Sequence, residues 1–277
     1  MNDYAHPEVL VDPRWVAEHL SDPRVRVVEA HFDPAPYESG HIPGAVFWNT
    51  VGTVLTPDWQ VNFDKESVEE LCGRSGIGND TTVVACSEHN AVAPWLFWFL
   101  KSVGHADVRV LDGGRKKWIA DGHALTTELP AVTPASYAAP EPDPGLRALL
   151  GHVRSAVGNE QQVLLDVRTS EEYRGEIFLL KPPRGSERAG HIPGSIHLHY
   201  EDALNADDTF KSADELTALY TRHGVTADKE TITYCAIGMR SAHTWFVLTQ
   251  LLGYPAVRSF DASWNLWGRL PDTPVEA

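Results

Sequence analysis

The feature that most constrains this chain is that it repeats itself. HIPGAVFWN begins at His41 and HIPGSIHLH begins at His191, 150 residues apart. Further along, Cys86, Gly104, Asp112 and Trp118 meet Cys235, Gly253, Asp261 and Trp267, each pair at an offset of 149 residues. A long-period repeat of this kind means that one supersecondary plan is used twice. Upstream of the turns, VRVVEAHFDPAPYESG pairs with QVLLDVRTSEEYRG. Tyr37 lies four residues before His41, but Tyr173 lies eighteen before His191, so the second half carries a fourteen-residue insertion at 175–188.

A length of 277 residues exceeds what one core ordinarily fills. The stretch PAVTPASYAAPEPDPG contains five prolines and few bulky apolar side chains, as in an extended linker. The expected organisation is a domain over 1–129, a linker over 130–146 and a second domain over 147–277. Each half alternates short β-branched runs (VRVVEA, AVFWN, TTVVAC and VRVLD; then QVLLDV, SIHLH, TITYC and AVRSF) with helical segments, the last long one expected over 241–252. That alternation predicts an α/β fold, twice: a mainly parallel sheet flanked by helices in each domain.

A formal charge of −15 repels phosphate backbones and argues against nucleic acid or an anionic membrane as partner. The N-terminal residues lack a basic stretch followed by an apolar one, and no apolar run reaches about eighteen residues, so a cytoplasmic protein is expected. Three cysteines, Cys72, Cys86 and Cys235, are too few and too dispersed for a disulfide framework or a paired-thiolate zinc site. His191 belongs to the turn motif, His197 and His199 lie on a strand without a cysteine or carboxylate at ligand spacing, and no metal is expected.

Chemistry concentrates at TITYCAIGMRSAHTWF. Cys235 falls at the carboxyl end of a buried strand, followed by Ala236, Ile237, Gly238, Met239 and Arg240 and then a helix expected to start near Ser241. In parallel sheets sites form at that edge, and a helix N-terminus offers free N–H groups and a positive dipole end, which favours a thiolate. Gly238 permits the bend that lets N–H groups converge on sulfur. Such a cradle suits a persulfide or a phosphocysteine. Arg240 either faces a substrate or ties the loop to a carboxylate, with Asp166 at the end of QVLLD as the evident partner.

The paired GHIPG turns, DVR…EY…RAGHIPG, the Cys-x-x-Gly-x-Arg loop, SAHTWF and FDASW…WG resemble the tandem rhodanese family across nearly the whole chain. The resemblance implies two rhodanese-like domains and a thiosulfate or 3-mercaptopyruvate sulfurtransferase. Its Cys235 takes sulfur as a persulfide, expelling sulfite or pyruvate, and passes it to cyanide or a thiol acceptor, a thiol redox protein included. It also implies no cofactor, a substrate-binding arginine at Arg188 and an inactive first domain.

The loop departs from thiosulfate-preferring members, which place basic residues where Ala236, Ile237 and Met239 stand, and so leaves the donor open. In the first half CSEHNAVAP has Glu88 near Cys86 and no arginine at the Arg240 position, which marks Cys86 as structural. The acidic residue many members supply after GHIPGA is absent, with Asn49 and Thr53 in that stretch. Arg168 and Arg174 either reach the pocket or are solvated, with Arg174 read as solvated, and Trp264 and Trp267 read as core and rim of the pocket. The alternatives are a non-catalytic scaffold or protein-persulfide relay, and a Cdc25-like phosphatase or arsenate reductase. The latter needs five residues between cysteine and arginine, where this chain has four.

Overall fold

The computed structural model describes residues 3–277. Two compact units emerge. One spans Glu8–Pro144 together with Asn205–Phe210, and the other spans Gly145–Leu204 and Lys211–Ala277 together with the segment ending at Pro7. Each unit therefore takes a short piece of chain from the other half of the sequence, which no composition shift announces.

In the first unit β1 (Leu10–Val11), β2 (Val25–His31), β3 (Val46–Asn49), β4 (Thr82–Cys86) and β5 (Val108–Leu111) form a sheet in the order β1-β5-β4-β2-β3, with every pairing parallel. Helices α1 (Pro13–His19), α2 (Ala35–Glu38), α3 (Lys65–Arg74), α4 (Val92–Ser102) and α5 (Gly114–Ala120) connect them. The central strands β2 and β4 are buried along nearly their whole length, so that β4 reads as a continuous apolar run, while β2 also buries Glu29 and His31. VAPWLFWFLKS makes α4 apolar on every face, and all but Lys101 of its residues are buried.

The second unit repeats the plan. Helices α6 (Leu150–Ala156), α7 (Ser170–Tyr173), α8 (Ala213–Arg222), α9 (Met239–Phe246) and α10 (Ser263–Trp267) surround β6 (Gln162–Asp166), β7 (Ile196–His197), β8 (Glu230–Tyr234) and β9 (Val257–Phe260). The sheet order is β7-β6-β8-β9, again all parallel. The counterpart of β1 shrinks here to one parallel bridge, Arg147 to Ser259. Its core gathers Leu164, Ile192, Ile232, Tyr234, Phe260, Trp264 and Trp267.

Three expectations change. The proline-rich stretch is not a free spacer: Ala135 N–H donates to Gly73 O (2.9 Å), Ala138 N–H to Asn79 Oδ1 (3.0 Å), and Tyr137 is buried, so this extended chain is fastened to the first unit. Prolines hold it open while the few remaining donors find partners. SIHLH yields only the two-residue β7. The helix expected from Ser241 starts at Met239 and gives way after Phe246 to a wider π-type turn over Val247–Leu251. No helix among the described residues is long and apolar enough to cross a membrane.

Candidate active site

Cys235 follows β8 directly, is fully buried, and is separated from α9 by only three residues. Gly238 makes that short connection possible. Its φ of +99° belongs to the left-handed region, and a Cβ there would lie 2.5 Å from Asp261 O. So placed, the Gly238 N–H points back at Cys235 Sγ at 3.1 Å, and the start of α9 faces the sulfur with its positive end. Ser241 Oγ fixes the turn by donating to Gly238 O at 2.8 Å.

A second support comes from the start of α10. Ser263 has φ +50°, a conformation that costs a non-glycine residue about 1 kcal/mol or more. Its hydroxyl oxygen accepts the Cys235 N–H at 3.0 Å, its proton goes to Phe260 O at 2.7 Å, and Cys235 Sγ lies 3.8 Å away. Trp264 N–H and Asn265 N–H donate to Cys235 O and Ala236 O (3.0 and 2.9 Å). The cysteine is held by its backbone on both sides, while its Sγ meets the Gly238 N–H.

The ion pairs differ from the expected ones. Asp166 does not hold Arg240. Both Asp166 oxygens are taken by Arg168, whose Nε lies 2.9 Å from Oδ1 and whose Nη2 also donates to Gly190 O at 2.7 Å. Arg168 is wholly buried, with its guanidinium 4.5 Å from the Trp264 ring centre, because it lies only two residues beyond Asp166 and folds back over it.

Arg240 instead forms a two-pronged pair with Glu172, Nη1 to Oε2 at 2.7 Å and Nη2 to Oε1 at 2.9 Å. Burial alone would raise the Glu172 carboxyl, but the Arg240 hydrogen bond and charge overcome this and hold it below its ordinary value. Glu172 escaped the sequence reading. Thr169-x-x-Glu172 is a capping-box signature, and the box is present, yet nothing in it announces the reach to Arg240.

Arg188 is also corrected. Its guanidinium donates to Thr273 O (2.6 Å) and Trp267 O (3.2 Å), and further to Leu270 O and Thr273 Oγ1, so it serves as a clamp on the chain's end instead of a donor-binding group. Carbonyls gathered after α10, two of which also accept from Thr273 Oγ1, make an acceptor cluster that suits a cation. Trp264 and Trp267 are both core, with no exposed rim. Arg174 is exposed and pairs with Glu176. His191 stacks on Tyr173 (3.8 Å between centroids), His197 bonds Arg168 O (2.8 Å), and His243 is packed edge-on to Tyr200. Among the described residues no group of three or more histidine, cysteine or acidic side chains could hold a metal ion.

In the first unit Cys86 is buried, and its thiol is pushed well up, mainly by burial and next by the charge of Glu29. Glu88, the carboxylate nearest in sequence, is exposed and not the one that acts on the thiol. Glu29 sits one strand over, paired in register with Cys86, and is held by Arg115 (3.2 Å), His31 (3.2 Å) and the Ile42 N–H. Burial also pushes Cys72 up to about 12.

Comparison with known proteins agrees with this architecture. The model of the rhodanese-like domain matches residues 12–121 and 150–270. A sulfur carrier protein of Thermus thermophilus, TtuD, is 46% identical over 98% of both chains. A protein of Saccharopolyspora erythraea that carries the provisional name thiosulfate sulfurtransferase is 41% identical, over 97% of this chain and 96% of its own. Among solved structures, the anaerobic ergothioneine biosynthesis enzyme of Chlorobium limicola, bound to trimethyl histidine, superposes with a TM-score of 0.89 at 28% identity, covering all of this chain and 72% of that one. With two matched regions, two parallel sheets and a cysteine loop at the edge of the second, the chain belongs to the rhodanese family of sulfur-transferring proteins.

Proposed function

We propose that the protein is a sulfurtransferase that carries sulfur as a persulfide on Cys235, taking it from thiosulfate or 3-mercaptopyruvate and delivering it to cyanide or a thiol. The carrying observation is the Gly238 N–H at 3.1 Å from Cys235 Sγ, at the head of α9. A donor aimed at that sulfur stabilises negative charge there, on the attacking thiolate and on the persulfide that replaces it. The thiolate attacks the outer sulfur of thiosulfate, the S–S bond breaks, and sulfite leaves with the electron pair. With 3-mercaptopyruvate the C–S bond breaks instead, and the departing enolate takes up the thiol proton to become pyruvate. Each step balances with no added oxidant, metal or organic cofactor, since electrons pass only from thiolate to sulfur to leaving group. In the second half-reaction the acceptor attacks the outer sulfur and frees the Cys235 thiolate. A thiol redox protein fits the acceptor role.

Intact-mass measurement after incubation with each donor tests this. A gain of about 32 Da, one sulfur atom, is expected on the wild type and none on Cys235→Ser. No gain with either donor, or a gain that survives the substitution, sinks the reading.

A further inference from the structure

We infer that Glu172 sets which donor charge Cys235 accepts: by closing the fork of Arg240, it cancels the cation that would otherwise favour a dianion. This rests on the sulfur-transfer reading above and extends it to a residue outside the loop. Glu172 is fully buried and cannot swing away, since its Oε2 also accepts the Thr169 N–H (3.1 Å) while its own N–H donates to Thr169 Oγ1 (3.4 Å). Arg240 is the second residue of α9, five after Cys235, and its side chain is 14% exposed. Its charge and that of a Cys235 thiolate interact. Burial opposes its charge, while the bond to Glu172 and then the Cys235 thiolate sustain it. Arg168 is paired with a buried carboxylate as well, through Nε and Nη2 to Asp166.

The fold does not require the pair. By register with Tyr37 and with Cys86, the first half has Pro36 where Glu172 stands and Ala91 where Arg240 stands. The same parallel sheet forms there without either residue. A buried ion pair is weak support for stability in any case, and often no better than apolar packing. What the pair supplies to the second half is a cation near the sulfur whose charge is already answered. Thiosulfate carries two negative charges and 3-mercaptopyruvate one, so the ratio of their rates reports the field at Cys235, whatever happens to overall activity.

The experiment is a comparison of kcat/KM for the two donors across charge variants. Glu172→Gln uncovers the Arg240 charge and should raise the thiosulfate-to-mercaptopyruvate ratio about tenfold, as one unit charge at close range in a partly buried site predicts. Glu172→Asp keeps the charge and should hold the ratio within about twofold even if both rates fall. Glu172→Gln combined with Arg240→Gln should return the ratio to the wild-type value. Equal scaling of both donors in Glu172→Gln, or a raised ratio that persists in the double variant, overturns the inference. If Glu172→Gln does not fold, Glu172→Met removes the same charge at similar volume and is read by the same criterion. Wild-type protein that gains mass with both donors while the ratio never moves defeats only the role of Glu172; wild-type protein that gains none defeats the sulfur-transfer reading itself.

Discussion

The Cys86 and Cys235 loops descend from one plan, yet SEHNA after the first cysteine and AIGMR after the second agree at no position. Both cysteines are buried at the end of the second-laid central strand of a parallel sheet. After Cys235 the helix begins at Met239, four positions on; after Cys86 it begins at Val92, six positions on. Gly238 explains the earlier start, because His89 at the matching place cannot take its φ of +99° without strain. The support from the start of the last helix differs too. Gly114 and Ser263 occupy matching positions with nearly the same backbone, φ +53° and +50°. The first half meets this demand with glycine. The second half tolerates the strain and thereby keeps a hydroxyl on the Cys235 N–H. Strain retained where the duplicate shows it to be dispensable fits the role proposed for the second loop.

Charge separates the loops further. Cys86 lies beside the buried Glu29–Arg115 pair, whose carboxylate opposes its ionisation more than the guanidinium favours it, whereas Cys235 shares its surroundings with the Arg240–Glu172 pair. Asp112 and Asp261 match as well, but Asp261 is bridged by Arg147 at 2.8 Å, while the main support of Asp112 is the Phe210 N–H at 3.0 Å. Burial raises the Asp112 carboxyl to about 6.

The comparison breaks most decisively at the nucleophile. Cys235→Ser should lower turnover on the order of a thousandfold or more in steady-state assays. Gly238→Ala ranks next, since its methyl meets Asp261 O and displaces the N–H from Sγ. A loss of about a hundredfold in kcat is expected, with melting lowered by a cost of about 1–3 kcal/mol. Activity within a few-fold of wild type would show that the early helix start is incidental.

Asp112→Asn addresses the first unit. Because the folded-state value lies above the ordinary 3.8, the folded protein binds this proton more readily than the unfolded chain. The charged form therefore costs stability fully above about pH 6, and the cost fades as pH falls toward 3.8. Asparagine keeps the acceptor for Phe210 and removes the charge, so unfolding of the first unit at pH 7.5 should be harder by about 1–3 kcal/mol, with the gain gone by about pH 4. Equal gains at both pH values would refute the assignment. Cys86→Ala gives the smallest effect: turnover unchanged within about twofold, and a stability cost of about 1 kcal/mol for the small void. A well-folded variant that loses activity would overturn the separation of the two loops.

The sequence by itself determined the duplication, the parallel α/β plan and the place of Cys235, because these rest on local periodicity and on identical residues at a fixed offset. Apolar runs such as TITYC become central strands wherever helices cover both faces, and a glycine at Gly238 signals its own backbone demand. Only the tertiary structure decided the partners. Which carboxylate meets Arg240, whether Arg188 faces a donor or a row of helix-end carbonyls, and whether Glu88 or Glu29 acts on Cys86 depend on how residues far apart in sequence, or on neighbouring strands, are brought side by side. Spacing along a chain carries no record of such distances. Asp166 and Glu172 are only six residues apart, yet one turns to Arg168 and the other to Arg240, and the difference lies in the direction that β6 and α7 give their side chains.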